Sequence, residues 1–297
     1  MKQISRRSFF KFVSVSAAGL GLDPFDLTGL TRAMANPAGP TVLWLQGSGC
    51  TGCTMSFLDY VSPTAPTSAA DVLINYINLA YHPNLTPVAG EPAAMVIEEV
   101  RQRGNYILAL EGGIPTRFGG GACYSWTLDG ADVTLQDAVR SLGARATAIL
   151  SIGTCSSFGG IPAAPPNPTG VVSAQALTGR PTINVAGCPP HPNWMVWTIV
   201  QLLQGKPISL DSYGRPRSLY GEIVHERCPL LGRQEAKTFA VSGQCLKELG
   251  CRGPETRANC PTLKWNNGVN WCVGAGAPCN GCTSPNFPGG RFNHQPA

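Results

Sequence analysis

The chain has 297 residues, 43% of them hydrophobic and only 13% charged, with a net charge of +5. Lys2, Arg6, Arg7, Lys11 and Arg32 against Asp23 and Asp26 place +3 of that charge in the leader, so the remainder carries +2, which gives no footing for nucleic-acid binding. No later apolar stretch reaches the length of a membrane helix, 194–203 coming nearest, and the remaining length of about 260 residues suffices for one real core and a smaller lobe.

At the N-terminus, Ser5-Arg6-Arg7-Ser8-Phe9-Phe10-Lys11 precedes a short apolar run from Phe12 to Leu22 and then Ala33-Met34-Ala35, a small-x-small cleavage pattern. This order predicts a twin-arginine export signal over residues 1–35 and an extracytoplasmic protein with no transmembrane helix once it is removed. Such export carries proteins already folded. A cysteine-rich exported chain would otherwise be read as a disulfide scaffold, whereas here metal can be loaded first in a reducing compartment.

From Thr41 onward, short apolar runs alternate with helical patterns. Strands are expected at 41–46, 72–79, 106–110, 146–151 and 182–186, and helices at 91–103, 132–142 and 193–204. That alternation predicts an α/β fold with a parallel sheet covered on both faces, spanning residues 36–205. In such a sheet the loops leaving the carboxyl ends of the strands line one crevice. Cys50 and Cys53 follow the first strand, Cys155 the fourth and Cys188 the fifth, so four thiols distant in sequence converge on one edge. Glu111, leaving the third strand, is expected beside them.

Gly47-Ser48-Gly49-Cys50-Thr51-Gly52 also satisfies a dinucleotide-binding fingerprint. The acidic residue that should end the next strand is missing, since Asp71 precedes it, and two cysteines occupy the place of the phosphates. The glycines are read instead as letting backbone approach inorganic sulfide.

Residues 206–297 hold seven cysteines, twelve glycines and nine prolines and show no sustained period. A segment of this kind needs cross-links to offset its ordering entropy. Disulfides would leave one of seven thiols orphaned; the seven with His225 make eight, or two sets of four. Eleven cysteines and one histidine can thus be grouped as Cys50, Cys53, Cys155 and Cys188; His225, Cys228, Cys245 and Cys251; and Cys260, Cys272, Cys279 and Cys282, each a donor set that suits a cubane cluster. Zinc competes at the close pairs His225/Cys228 and Cys279/Cys282. His82, His191 and His294 have no such neighbour and are read as satisfied side chains, and Cys123 as a structural thiol. There is no nucleophile-base constellation and no catalytic residue is assigned.

Gly49-Cys50-Thr51-Gly52-Cys53, Glu111-Gly112-Gly113-Ile114-Pro115, Gly153-Thr154-Cys155, Gly187-Cys188-Pro189-Pro190-His191-Pro192, His225-Glu226-Arg227-Cys228 and Cys279-Asn280-Gly281-Cys282 together resemble the small subunit of nickel-iron hydrogenases, over essentially the whole chain after the leader. The resemblance implies a flavodoxin-like domain followed by a smaller irregular iron-sulfur domain at 206–297. It makes the first set the proximal cluster, the His225 set the distal cluster and the Cys260 set the medial cluster. The chain would be the electron-transfer subunit of a periplasmic uptake-type hydrogenase, in an obligate heterodimer with a large subunit that holds the nickel-iron site. Its acceptor would be a c-type cytochrome or a membrane quinone-reducing partner. A related iron-sulfur subunit of a quinone-reductase complex is the alternative, disfavoured because that type lacks the C-terminal cysteines.

Two departures within the family matter. Asn270-Trp271-Cys272 stands where common members carry proline after an Asn-Trp pair and hold a three-iron medial cluster, so the chain is similar to the nickel-iron-selenium group and three 4Fe-4S clusters are expected. Gly52 and Gly160 stand where oxygen-tolerant members carry extra cysteines, so a standard proximal cubane and oxygen sensitivity are expected.

Overall fold

The computed structural model describes residues 39–239 and 243–289; the expected export signal and His294 lie outside the described residues. Five strands, β1 (Thr41–Gln46), β2 (Asn78–Tyr81), β3 (Tyr106–Glu111), β4 (Ala148–Ile152) and β5 (Ile183–Val185), form one sheet in the order β2-β1-β3-β4-β5. Every pairing is parallel, and the order is that of flavodoxin-like folds, with a topological switch between β1 and β3.

Side chains alternate across each strand, and here both faces are dry. Val42, Trp44, Ala109, Leu150 and Ile152 join a core with Phe57 of α1 (Gly52–Leu58) and with Trp194, Met195, Val196 and Ile199 of α5 (Pro192–Leu203). Leu43, Leu45, Leu108, Leu110 and Ile149 point the other way, onto Ile97 and Val100 of α2 (Glu91–Arg103) and Leu135, Val139 and Leu142 of α3 (Leu135–Arg145). Near-continuous apolar strands are the consequence of this two-sided burial.

Two expected elements are corrected. Residues 72–79 are not a strand: a helical turn at Ala69–Asp71 runs into a π-helix at Val72–Tyr76, and β2 begins only at Asn78. A short apolar run fits buried helix as well as strand, and local polar chemistry decides it. Asp71 N–H donates to the Ser68 hydroxyl (3.1 Å), and Asn75 donates to the Asp71 carboxylate (2.7 Å). Residues 132–134 are not the start of a helix either. Asp129 and Gly130, at φ 51° and 76°, turn a hairpin between Tyr124–Leu128 and Ala131–Thr134. The Thr134 hydroxyl then caps α3 by accepting from Asp137 N–H (3.1 Å).

The segment after α5 has little regular structure beyond short turns such as Arg217–Tyr220 and Cys260–Leu263. Part of its apolar surface is nonetheless buried, packed against the helix that carries Trp194. Tyr220, Val224, Ala236, Leu246, Ala258, Trp271 and Val273 belong to the core that contains Trp194. Trp194 packs against the rings of Tyr220 and Trp265, at 5.3 and 6.4 Å between centroids, and its indole N–H donates to Asn259 (2.8 Å). Truncating a side chain so placed costs about 3–5 kcal/mol.

Candidate metal centres

The first four cysteines come from three βα turns. Cys53 lies in the first turn of α1, Cys155 in α4 (Gly153–Phe158) directly after β4, and Cys188 in the turn after β5. The Cys53 thiol is buried and pushed well above its ordinary range, first by desolvation, then by the Glu111 carboxylate and by Cys155, Cys50 and Cys188. Burial, Cys188 and Cys50 raise Cys155 to about 12. These mutual Coulombic influences mark the four thiols as near neighbours at one edge of the sheet.

Glycine makes the pocket. At Gly153, φ is 85° and a Cβ would lie 2.5 Å from the Cys53 sulfur; at Gly160, φ is 56° and a Cβ would lie 2.9 Å from Cys155 Sγ. Gly52 faces Cys50 Sγ at 3.1 Å. Gly47, by contrast, meets backbone: its Cβ would come within 2.4 Å of the Gly113 carbonyl, because the loops after β1 and β3 are paired through Ser48 and Gly113. That loop contact accounts for Gly47 in the fingerprint without a nucleotide, and Asp71 is held in its own helix.

Glu111 sits beside this pocket, as expected, with 3% exposure. Its Oε1 accepts from Cys53 N–H (3.1 Å) and Thr54 N–H (3.2 Å), and its Oε2 from Trp44 Nε1 (3.2 Å), Gln46 Nε2 (3.1 Å) and the Thr54 hydroxyl (2.5 Å). A hydroxyl has one proton and two acceptor sites. With its proton on Glu111, Thr54 Oγ1 accepts from Gln46 Nε2 (3.1 Å) and from His82 Nε2 (3.1 Å). His82 Nδ1 accepts from Asn84 N–H (3.0 Å), so the network assigns the Nε2–H tautomer. Desolvation lowers the His82 pKa to about 4, which keeps that ring neutral. His82 is thus a satisfied core histidine, as read from sequence. His191 is another: it caps α5 through Asn193 N–H to Nδ1 (3.1 Å), and its Nε2 meets the Lys264 carbonyl (2.5 Å). Nothing in the sequence distinguished Thr54 and His82 as supports of Glu111.

The C-terminal donors fall into two neighbourhoods. His225 opens a 3-10 turn, His225–Arg227, that ends at Cys228. The Cys228 thiol is raised by burial and by Cys245 and Cys251, and a Cβ on Gly253 would touch both Cys251 Sγ (3.5 Å) and His225 Cβ (3.7 Å). The Cys260 thiol is driven well up by burial and then by Cys282, Cys279 and Cys272. The two neighbourhoods also touch, since burial and then Cys251 raise both Cys272 and Cys279.

Contacts also run between neighbourhoods. The Thr154 hydroxyl donates to the Cys282 carbonyl and accepts from Gly187 N–H (2.8 Å), tying the turns of Cys155 and Cys188 to the Cys260 group. Cys188 contributes Coulombically to the raised pKa of Cys282. At the far side, Cys279 N–H points to Cys251 Sγ (3.3 Å). The Cys260 group therefore lies between the other two. Among the described residues, no three His, Cys, Asp or Glu side chains close around a point as one metal ion would need. Ser156 and Ser157, beside Cys155, and Ser284, just past Cys282, have buried hydroxyls without hydrogen-bond partners. Cys123 stands apart, half-buried against the α3 core, its thiol raised by desolvation.

Comparison with known proteins gives the arrangement its relatives. Residues 220–293 match the family described as the C-terminal part of the NiFe/NiFeSe hydrogenase small subunit, and residues 50–202 the family described as NADH ubiquinone oxidoreductase, 20 Kd subunit. The periplasmic [NiFeSe] hydrogenase small subunit of Desulfomicrobium baculatum is 40% identical, covering 97% of each chain. The quinone-reactive Ni/Fe-hydrogenase small chain of Wolinella succinogenes is 37% identical, over 96% of this chain and 82% of that one. Among solved structures, the recombinant [NiFeSe] hydrogenase of Desulfovibrio vulgaris Hildenborough superposes with a TM-score of 0.82 at 37% identity, covering 88% of this chain and 99% of its own.

Proposed function

The chain belongs to the small-subunit family of nickel-iron and nickel-iron-selenium hydrogenases, the electron-transfer subunits of those enzymes, and we propose that its eleven grouped cysteines and His225 hold three 4Fe-4S clusters. Cys50, Cys53, Cys155 and Cys188 would hold the proximal one, Cys260, Cys272, Cys279 and Cys282 the medial one, and His225, Cys228, Cys245 and Cys251 the distal one. The observation that carries this reading is the partition of the donors into three neighbourhoods in contact in a row. When bound, such clusters supply sites that take up and release single electrons.

The residues suit that cargo. The unpartnered hydroxyls of Ser156, Ser157 and Ser284 suit a group that brings acceptor sulfides with it. Glycine at 153 and 160 leaves room beside Cys53 and Cys155. Beside the first set the chain contributes the buried carboxyl group of Glu111; in the set of His225 an imidazole would stand in for one thiolate, which would make that site less anionic. The hydrogen chemistry would belong to the large subunit, as the family resemblance implies.

Three further points belong to the same reading. The partner is a large subunit in an obligate heterodimer. Export by the twin-arginine route places the complex at the periplasmic side, and among the described residues no helix is long and apolar enough to cross a membrane. The acceptor is a c-type cytochrome or a membrane quinone-reducing subunit, the latter favoured by the likeness to a quinone-reactive chain. Iron and acid-labile sulfide in the purified heterodimer, with electron paramagnetic resonance of the oxidised protein, test the central claim: about twelve of each per small chain, beside the large subunit's own iron, with no three-iron signal agrees with three cubanes; about eight sulfides or fewer, or a strong three-iron signal, does not. With Gly52 and Gly160 beside the first set, hydrogen oxidation should stop in air; sustained turnover there would refute a standard proximal cubane.

A further inference from the structure

Two arginines are buried against the loop from Cys279 to Thr283, and they differ in how their charge is met. Arg215, 4% exposed, is held by Asp211, itself only 16% exposed, through Nε (2.9 Å) and Nη2 (2.8 Å), and its Nη1 donates to the Thr283 carbonyl (2.9 Å). That pair is close to neutral where it touches the loop. Arg252, 6% exposed, meets one acid among the described residues, Glu255, by Nε (2.6 Å), and Glu255 is 54% exposed, so water screens its charge. The remaining partners of Arg252 are neutral: Pro288 O for Nη1 (3.3 Å) and Asn286 Oδ1 for Nη2 (3.0 Å).

Arg252 also stands at the contact between two donor sets. It follows Cys251, and its backbone N–H donates to the Cys279 carbonyl (2.7 Å). Its side chain lies directly on Gly281, between Cys279 and Cys282: a Cβ there would be 3.2 Å from Nε and 3.3 Å from Cδ and Cζ. Gly281 has φ 73°, so glycine serves both the turn and the approach of the cation to the loop backbone.

We propose that Arg252 is a positioning and tuning residue: an incompletely neutralised buried cation that raises the reduction potential of the group held by Cys260, Cys272, Cys279 and Cys282. The inference rests on the ligand reading given above. A fixed positive charge favours whichever form of a neighbouring group carries one more electron. Here it opposes the negative charge that a fourth thiolate from Cys272 would add.

The test is a redox titration of the intact heterodimer followed by electron paramagnetic resonance, with acid-labile sulfide measured on each sample. Arg252→Gln should keep its sulfide and make one reduction step at least tenfold less favourable, a shift of about 59 mV downward for a one-electron couple. Arg252→Lys, which keeps the charge, should stay near the unsubstituted value. Should Arg252→Gln fail to assemble, Glu255→Gln leaves the cation in place without its counter-charge and should move the same step upward. Full sulfide with unmoved steps in Arg252→Gln, or a downward step in Glu255→Gln, overturns the inference alone. Lack of sulfide for the third set in the unsubstituted complex overturns the ligand reading and the inference with it.

Discussion

Gly153→Ala puts the first donor set under a graded mechanical test. At φ 85° an alanine strains the backbone, a cost of about 1–2 kcal/mol. The larger effect is steric: the new methyl would sit 2.5 Å from Cys53 Sγ, against a comfortable separation of about 3.5–4.0 Å. One of the two atoms must therefore shift by about 1 Å. Residue 153 is poorly placed to yield, because Thr154 N–H donates to Gly187 O (2.9 Å) and its side chain spans Gly187 and Cys282. The displacement falls on the sulfur, whereas metal–ligand distances tolerate only about 0.2 Å. Acid-labile sulfide in the heterodimer should drop from about twelve to about eight per small chain, with hydrogen-dependent dye reduction abolished. Gly52→Ala is the control. Its methyl would meet Cys50 Sγ at 3.1 Å, on an exposed residue able to give way, so sulfide should be retained. Full sulfide and full activity in Gly153→Ala would refute the reasoning that Cys53 and Gly153 share the wall of a ligand pocket.

Other expectations follow from single groups. Glu111→Gln turns one of two acceptor oxygens into a donor facing N–H groups, so it should lower stability by about 3 kcal/mol; a thermal scan with an unchanged midpoint would count against the five-donor arrangement. His82 in the unfolded chain takes a proton near its ordinary 6.5 but in the fold only at about 4, so the unfolded state binds more protons between those values. Stability should then fall by about 3 kcal/mol as pH drops through that window and be unaffected by His82 above it, and His82→Gln should flatten the slope of Tm against pH. Cys272→Pro removes the fourth donor of the third set; it should leave a three-iron centre, read as a new paramagnetic signal in oxidised protein, and absence of that signal would speak against Cys272 as a ligand. Trp194→Ala should cost about 3–5 kcal/mol and depress the sulfide content of the C-terminal sets, because their loops pack on that indole.

What could be read beforehand was whatever depended on strand ends. Cysteines 50, 53, 155 and 188 could be brought together on paper because each follows a recognisable apolar run and parallel topology sends all such ends to one edge. The parallel sheet was legible from the same alternation, whereas its flavodoxin-like character and the family followed from the resemblance carried by the cysteine motifs. Residues 72–79 read as a strand because β-rich composition says nothing of Ser68 and Asp71 capping a helix, whereas the hairpin turns on the dipeptide Asp129-Gly130. Supporting groups were harder. Thr54, His82, Arg215 and Arg252 take their meaning from partners 28 to 68 positions away, and no local period carries such information.

The boundary at residue 205, where regular patterning gives way to glycine, proline and cysteine, is a seam in texture only. Trp194 on one side is wedged among Tyr220, Trp265 and Asn259 on the other, and Thr154 is hydrogen-bonded across to Cys282. The two parts are packed and hydrogen-bonded into one body. For a molecule whose family moves electrons, such a seam would hold the proposed cluster pockets within one packed body rather than on two separable lobes. It also means that this C-terminal segment is no detachable module. Grafted onto another sheet, it would leave Tyr220, Trp271 and Val273 without the surface they close over.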